Sequence, residues 1–336
     1  ADPHLPAGDN LHPGVGPVPT GRPVGTGPTR SDLENRDLVS GTLLSDEVLK
    51  SLPADLQTVL SDRLAYQAAR AALLSYSLLE ITDSRLQVHR LVQTVVRDSL
   101  PDNESWPKAT LSLVNAAFQP QKHDLSTWQP TRELLPHVIA VAGAPAVVSV
   151  PDHAGRLFNE AALYERWQGR YAAARDLMQR AIAIDEKAYE PDHPTLAVRY
   201  SNLALIEQDL GSLPAARDLM QRAIAIDEKA YEPDHPTLAV RYSNLALIEQ
   251  DLGSLPAARD LMQRAIAINE KAYEPDHPTL AVSYRNLGGI EEDDGNIEQA
   301  RTLIERAHAI FLGRLGPDHS NTQNCATWLS KNGGLS

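Results

Sequence analysis

An aspartate–histidine pair recurs along this sequence, at Asp192-His193, Asp234-His235, Asp276-His277 and Asp318-His319. Carboxylate and imidazole are metal ligands, so the series invites a metal-centre reading. The spacing argues against it. The pairs recur every 42 residues, one structural unit apart, which for packed helices is on the order of 10 Å. Ligands of a single ion must converge to within about 2–2.5 Å of it. Each of the first three pairs runs into a proline, and turn and helix-start chemistry accounts for them. No metal site is expected.

The other groups with chemical potential are equally isolated. Cys325 has only Asn and Thr as local polar company, which suits a core or surface thiol better than a nucleophile. No Ser/His/Asp or Cys/His constellation is readable. The phosphate-cradling motif Gly-x-x-x-x-Gly-Lys-Ser/Thr is absent. The stretch GTGPTRS (25–31) has no Lys and contains Pro28, so linker is the better reading. Without that loop a magnesium ion and a γ-phosphate have no anchor. The sequence therefore predicts a non-enzymatic chain with no cofactor.

What must position these residues is a repeat. Residues 174–215 and 216–257 are identical letter for letter. A third copy carries Asn269, Ser283 and Arg285 in place of Asp, Arg and Ser, then diverges after Asn286. A fixed period of this kind marks stacked supersecondary units rather than one compact core. Within a copy, Pro194 suits a helix start and Gly211 a helix end, which places a first helix over 194–210. A second runs from 214 to 231 and is broken by Glu232-Pro233-Asp234-His235. Tyr200, Leu203, Ala204 and Leu210 share one side of the first helix; Ala216, Leu219, Met220, Ala223 and Ala230 share one side of the second. The small residues Ala204, Ala216 and Ala223 permit close approach. One such pair cannot cover its own apolar face, so the units must lean on neighbours, an arrangement that favours a binding surface over a catalytic pocket.

Bulk properties narrow the partners. The chain has 336 residues, 42% of them hydrophobic, which is enough for a core, and a formal net charge of -13. That charge opposes non-specific binding to nucleic acid, which is not an expected partner. With one cysteine no internal disulfide can form, which fits a reducing, cytoplasmic setting. No apolar run of ~18 residues is present, so no membrane span is expected, and no signal peptide is visible.

The organisation follows from texture. Residues 1–40 form a flexible Pro/Gly-rich tail or linker, with seven Pro and six Gly in the first 30 positions. Over 41–104, two short helices punctuated by Pro53 (44–61) precede a helix from Tyr66 to Tyr76 with apolar faces at Ala69, Leu73 and Leu74. LLEI (78–81), the turn TDSR and LQVH (86–89) make a hairpin. A helix over HRLVQTVVRDSL follows, with Leu91, Val92, Val95 and Val96 in one stripe. Helix, hairpin, helix is the order of a winged-helix unit. Residues 105–153 form a helical connector, 154–318 four repeats, and 319–336 a capping helix and tail with Cys325, Trp328 and Leu329 turned to the last repeat.

The spacing of Ala204, Gly211, Ala216 and Ala223 matches the tetratricopeptide repeat pattern. The repeat length, the string SNLALI and the linker YEPDHP resemble the long-helix variety found in kinesin light chain, and equally the C-terminal arrays of bacterial signalling NTPases. The four units are 157–192, 193–234, 235–276 and 277–318. Independently, YSLLEITDSRLQVHRLVQTVVRD resembles the winged-helix segment after the NB-ARC nucleotide-binding module of those STAND-class NTPases, and RELLPHVIAVA resembles their connector. The fold class implied is mainly α: a right-handed α-α superhelix of tetratricopeptide repeats preceded by a small winged-helix-like domain. In that family a histidine at the end of the hairpin senses ADP phosphates. Val88-His89-Arg90 stands where the family has Met-His-Asp, so the resemblance makes His89 a nucleotide-sensing remnant. The function implied is the sensor or scaffold part of an NTPase-type signalling protein whose NTPase module is not in this chain. Two other classes remain open: a DNA-binding transcriptional regulator with a repeat effector domain, although HRLVQTVVRD has only Arg90 and Arg97 as basic residues, and a pure assembly scaffold. Self-association through interchangeable copies is a further expectation.

By analogy with tetratricopeptide arrays, the first helices line a concave face through Val198, Ser201, Asn202, Leu205 and Gln208–Asp209. Asn202, Asn244 and Asn286 then form a ladder able to bond the backbone of an extended protein or peptide ligand, with Leu205 and Leu247 as apolar contacts between rungs. Arg199 and Arg241 flank the stripe and favour an acidic ligand, unless they pair with local carboxylates. Val198, Val240 and Val282 occupy the positions where a carboxylate clamp needs basic residues. Glu165, Glu207, Glu249 and Glu291 stand where the family usually has Tyr. A buried carboxylate needs a partner, and Arg222 or Arg264 is the expected one; the alternative is that the glutamates face the groove and select basic ligands.

Overall fold

The structure is a computed structural model that describes residues 54, 57–58, 62–75, 79–82, 85–88, 105–122, 124–143 and 151–332. The helix expected over HRLVQTVVRDSL and the residue His89 lie outside the described residues, as does most of 44–61. The chain divides between Trp167 and Gln168 into two compact units.

In the N-terminal unit, α1 spans Arg63–Ser75. It begins three residues before the expected start, and Ala69 and Leu73 are exposed rather than forming an inner face. Its alanine-rich sequence RLAYQAARAALLS carries helix propensity without needing a buried stripe. Strands β1 (Leu79–Thr82) and β2 (Arg85–Val88) form an antiparallel hairpin in the register Leu79↔Val88 and Ile81↔Leu86. The last rung pairs Thr82 with Arg85, so the linking turn is shorter than TDSR. Helices α2 (Ser105–Ala117), α3 (Trp128–Ala142) and α4 (Pro151–Trp167) pack on one another around Leu111, Phe118, Val138, Leu157 and Phe158, all buried. Asp124 caps the short 3-10 turn before α3 by accepting from the Ser126 amide at 3.0 Å. Arg156 on α4 ties back to α2, donating to Asn115 Oδ1 at 2.7 Å.

The C-terminal unit is an alternation of helices and tight turns. Its elements are α5 (Tyr171–Ala188), α6 (Pro194–Asp209), α7 (Leu213–Ala230), α8 (Pro236–Asp251), α9 (Leu255–Ala272), α10 (Pro278–Asp293), α11 (Ile297–Leu315) and α12 (Ser320–Asn332). The pairs α6/α7, α8/α9 and α10/α11 pack as hairpins, each of which also packs on the helix before it. First helices touch as well, α6 with α8 and α8 with α10. The hairpins turn at Gly211, Gly253 and Gly295, whose φ values of 76°, 77° and 81° are costly for any residue with a Cβ. Ala204, Ala216 and Ala223 are fully buried where α6 meets α7, while Ala230 is exposed at the end of α7. α12 covers the last hairpin: Cys325 enters its core, Trp328 and Leu329 pack against it, and Trp328 Nε1 donates to Glu292 at 2.7 Å. No described helix is long and apolar enough to cross a membrane.

Candidate functional site

The recurring Asp-His pairs hold the units together. His193, His235 and His277 are N-caps of α6, α8 and α10, and their Nδ1 atoms accept from the amides of Thr195, Thr237 and Thr279 at 3.2–3.3 Å. Each imidazole stacks on the tyrosine four residues earlier, with ring centroids 4.1–4.3 Å apart. Asp192 accepts from Lys229 and Asp234 from Lys271, one hairpin further on. The Arg314 guanidinium beside Asp276 holds that carboxyl below its usual range. Among the described residues no three His, Cys, Asp or Glu side chains gather as for a metal.

A second recurring unit is a tyrosine latch. Tyr200, Tyr242 and Tyr284 donate their hydroxyls to Glu186, Glu228 and Glu270 of the preceding helix, each at 2.6 Å. Arg222, Arg264 and Arg306 lie over the same rings at 4.0–4.1 Å. Burial and the neighbouring carboxylate push the Tyr242 and Tyr284 hydroxyls up to about 12, and Tyr200 higher still. Arg222 and Arg264 are thus committed to the latches and do not serve the glutamate row, contrary to the expectation from sequence.

That row is buried in all four copies, so it does not face a ligand as a set of exposed carboxylates. For Glu291 the partner is a different arginine. Arg259 on α9 grips Glu291 with Nε at 2.6 Å and Nη2 at 2.9 Å, and Asn296 adds a bond at 2.8 Å. These donors hold Glu291 below the ordinary carboxylate range. Arg259 also pairs with Asp294.

The proposed binding stripe needs correction at its arginines. Arg199 and Arg241 are buried, and each Nε donates at 2.8 Å to a buried aspartate on the preceding helix, Asp185 and Asp227 respectively. Arg241 Nη1 also donates to Ser201 at 3.1 Å. A guanidinium with its counter-charge in place attracts no acidic ligand, so the expected acidic preference fails on this geometry. Burial raises the Asp227 pKa, and Arg241 opposes the shift. Asn202 and Leu205 are buried too, and Leu205 belongs to a core cluster. Gln208 is tied to Asp251 at 2.6 Å, and Gln250 to Asp293 at 2.6 Å.

Leu247 and Asn286 remain on the face, and Asn244, buried like Asn202, reaches it through a cavity shared with Asn286. Leu247 and Asn286 are half-buried, and Asn244 is 4% exposed. No hydrogen bond joins the Asn244 or Asn286 side chain to another described group; both line a cavity of about 50 Å³ between α8 and α10, partly open to solvent. Val240, Ser243, Asn269, Thr279, Val282 and Ser283 complete the lining. Of these, Ser243, Asn269, Thr279 and Ser283 were not picked out as site residues from sequence. The signal was present: two of the three early changes in the third copy are Asp→Asn at 269 and Arg→Ser at 283. The two side chains face each other, Asn269 Nδ2 donating to Ser283 Oγ at 3.1 Å, where the earlier copies hold the ion pair. The third change, Arg285, turns away and donates to Asn321 on α12 at 2.9 Å. Cys325 is no candidate for chemistry, because burial pushes its thiol up and away from the thiolate.

Comparison with known proteins agrees with the hairpin geometry. Residues 154–229, 200–271 and 237–313 match the family described as tetratricopeptide repeat. Residues 34–105 match a family described as a domain of unknown function, DUF7779. No curated protein sequence matches the chain. Among solved structures, a single-site variant of the nearly identical TPR-like repeats of a kinesin light chain candidate from Podosopora anserina is 22% identical. It covers 64% of this chain and 98% of its own, with a TM-score of 0.50. BtubC (BKLC) from P. vanneervenii is 18% identical over 67% of this chain and 88% of its own, with a TM-score of 0.51. At such identities the likeness concerns the fold alone. The array is built of tetratricopeptide repeats. Arrays of that class bind protein or peptide partners and are generally non-catalytic.

Proposed function

We propose that the first-helix face of the array binds an extended segment of a partner polypeptide, with Asn244 and Asn286 as its principal hydrogen-bonding rungs and Leu247 as apolar contact. The observation that carries this reading is that these two amide side chains line one cavity with no protein hydrogen-bond partner among the described residues, while the neighbouring Arg241–Asp227, Gln250–Asp293 and Asn269–Ser283 side chains are paired with one another. A carboxamide offers both a donor and an acceptor, which is what a peptide backbone needs whatever its sequence. The contact of α6 with α8 and of α8 with α10 supports placing the first helices on the inner side of the array. Asn202 and Leu205 extend the stripe as its buried floor, and Arg199 and Arg241 brace it.

In the same reading the chain is the sensing or scaffolding part of a larger NTPase-type signalling protein. The support is the resemblance of residues 76–98 to the winged-helix segment of such proteins and the hairpin over 79–88. His89 is then the nucleotide-sensing remnant that the resemblance implies. Affinity capture with the whole chain, compared with Asn244→Ala/Asn286→Ala, tests the binding face. The expected result is a partner retained by the parent and lost by the variant at an unchanged thermal midpoint. Recovery of the same proteins by both would overturn it.

A further inference from the structure

The repeat supplies its own control for the cavity between α8 and α10. Shifting by one period carries Asp227, Arg241 and Ser201 onto Asn269, Ser283 and Ser243. In the earlier copy these three groups are joined by a guanidinium, Arg241 reaching Asp227 at 2.8 Å and Ser201 at 3.1 Å. In the later copy the same three positions line an empty space. The cavity is therefore the volume left when a long arginine side chain is replaced by serine, and its rim keeps the serine hydroxyl at Ser243 and carries a carboxamide, Asn269, in place of the carboxylate.

Its chemistry is neutral. The carboxylate that would hold a cation has become Asn269, and no Lys or Arg lines the space to hold an anion. A charge placed there would lose water without gaining a counter-charge. The Ser243 hydroxyl and the Asn244 and Asn286 carboxamides offer donors and acceptors in mixed array, beside an Asn269–Ser283 pair already bonded to each other. Val240 and Val282 provide apolar walls suited to an alkyl stem. The volume of about 50 Å³, at about 10–15 Å³ per water-sized group, has room for about four heavy atoms. That is the CH2–CO–NH2 end of a glutamine or asparagine side chain.

We propose that this cavity is an anchor subsite for a neutral carboxamide side chain, of the Gln or Asn type, on the polypeptide bound at this face; the proposal rests on the binding face described above. The third copy thereby gains a selective position that the identical copies before it lack, since theirs is filled by an internal arginine.

The test uses the full chain, 15N-labelled, titrated with propionamide, propionate and methylguanidinium. Propionamide should shift the side-chain NH2 resonances of Asn244, Asn269 and Asn286 saturably. Propionate and methylguanidinium should bind about tenfold more weakly or not at all. S283R/N269D refills the cavity with the pair already present twice in this chain, so its fold is preserved, and the response should vanish. R241S/D227N opens an equivalent space one copy earlier, and the Asn202 resonance should then respond as well. Non-saturating shifts in the parent, an equal response to either charged probe, or a response that survives S283R/N269D would each overturn the proposal. Loss of partner capture in Asn244→Ala/Asn286→Ala with no propionamide response sinks the subsite and leaves the binding face standing. A saturable propionamide response with no captured partner does the reverse.

Discussion

At the scale of single residues, the most instructive feature is a double exchange. Asp185–Arg199 and Asp227–Arg241 are buried ion pairs, and Asn269–Ser283 is their uncharged counterpart. Breaking one partner of a buried pair leaves a charge without compensation, whereas exchanging both removes the desolvation cost together with the attraction. Arg241→Ala should therefore destabilise the chain by about 3–5 kcal/mol, while R241S/D227N should cost much less; urea midpoints of the two variants check this. Glu291 gives a pH prediction. Its folded pKa lies below the ordinary 4.5 because of Arg259 first, with Asn296 adding to it. Its contribution is complete above the unfolded pKa and is lost as pH falls through the folded one. Glu291→Gln should flatten the fall in urea midpoint below pH ~4.5; an unchanged slope would contradict the assignment. The sequence displayed which residues vary between copies, but not that 269 and 283 meet across adjacent helices. It pointed to Arg222 or Arg264 as the glutamate's partner and missed Arg259, which lies on the same second helix as Arg264, because only packing selects between them.

At the scale of elements, the repeat punctuation was readable because it is local. Pro at the first helical position and Gly in the turn fixed the helix bounds to within a residue, 194–209 and 213–230 against 194–210 and 214–231 expected. Gly253 has open space around its Cβ direction, so the cost of Gly253→Ala is conformational alone. That cost is about 1–2 kcal/mol, read from denaturant unfolding. Gly288 is different. A Cβ there would meet Ile304 Cγ1 at 2.8 Å, where the earlier copies pair alanine (Ala204, Ala246) with methionine (Met220, Met262). Gly288→Ala should overpack the α10/α11 contact by about 1–3 kcal/mol, and G288A/I304M should recover most of the loss. The α1 helix was less legible. Its alanines gave the helix, and of its apolar residues Ala69 and Leu73 are exposed, since propensity is local and burial depends on what packs alongside.

At the scale of the whole molecule, the exact period announced stacked hairpins before any contact was known. Which rungs of the asparagine ladder would be covered was not visible, because burial on the face is set jointly by the next first helix and by the internal arginine. An array of interchangeable units is stabilised mainly by nearest-neighbour contacts. Deleting residues 216–257 rejoins the chain in identical sequence context, and the product should fold with a lower thermal midpoint and an unchanged circular-dichroism shape. The same interchangeability allows units to pair between molecules, so refolding yield should fall with rising protein concentration. A concentration-independent yield would count against such exchange.

The central claim is that this chain recognises a polypeptide through its first helices. Hydrogen exchange of the whole chain, alone and with its captured partner, tests it most directly. The expected pattern is new protection in α6, α8 and α10, strongest around Asn244 and Asn286, with α7, α9 and α11 unchanged. Protection confined to the second helices, or none in the array, would contradict the account.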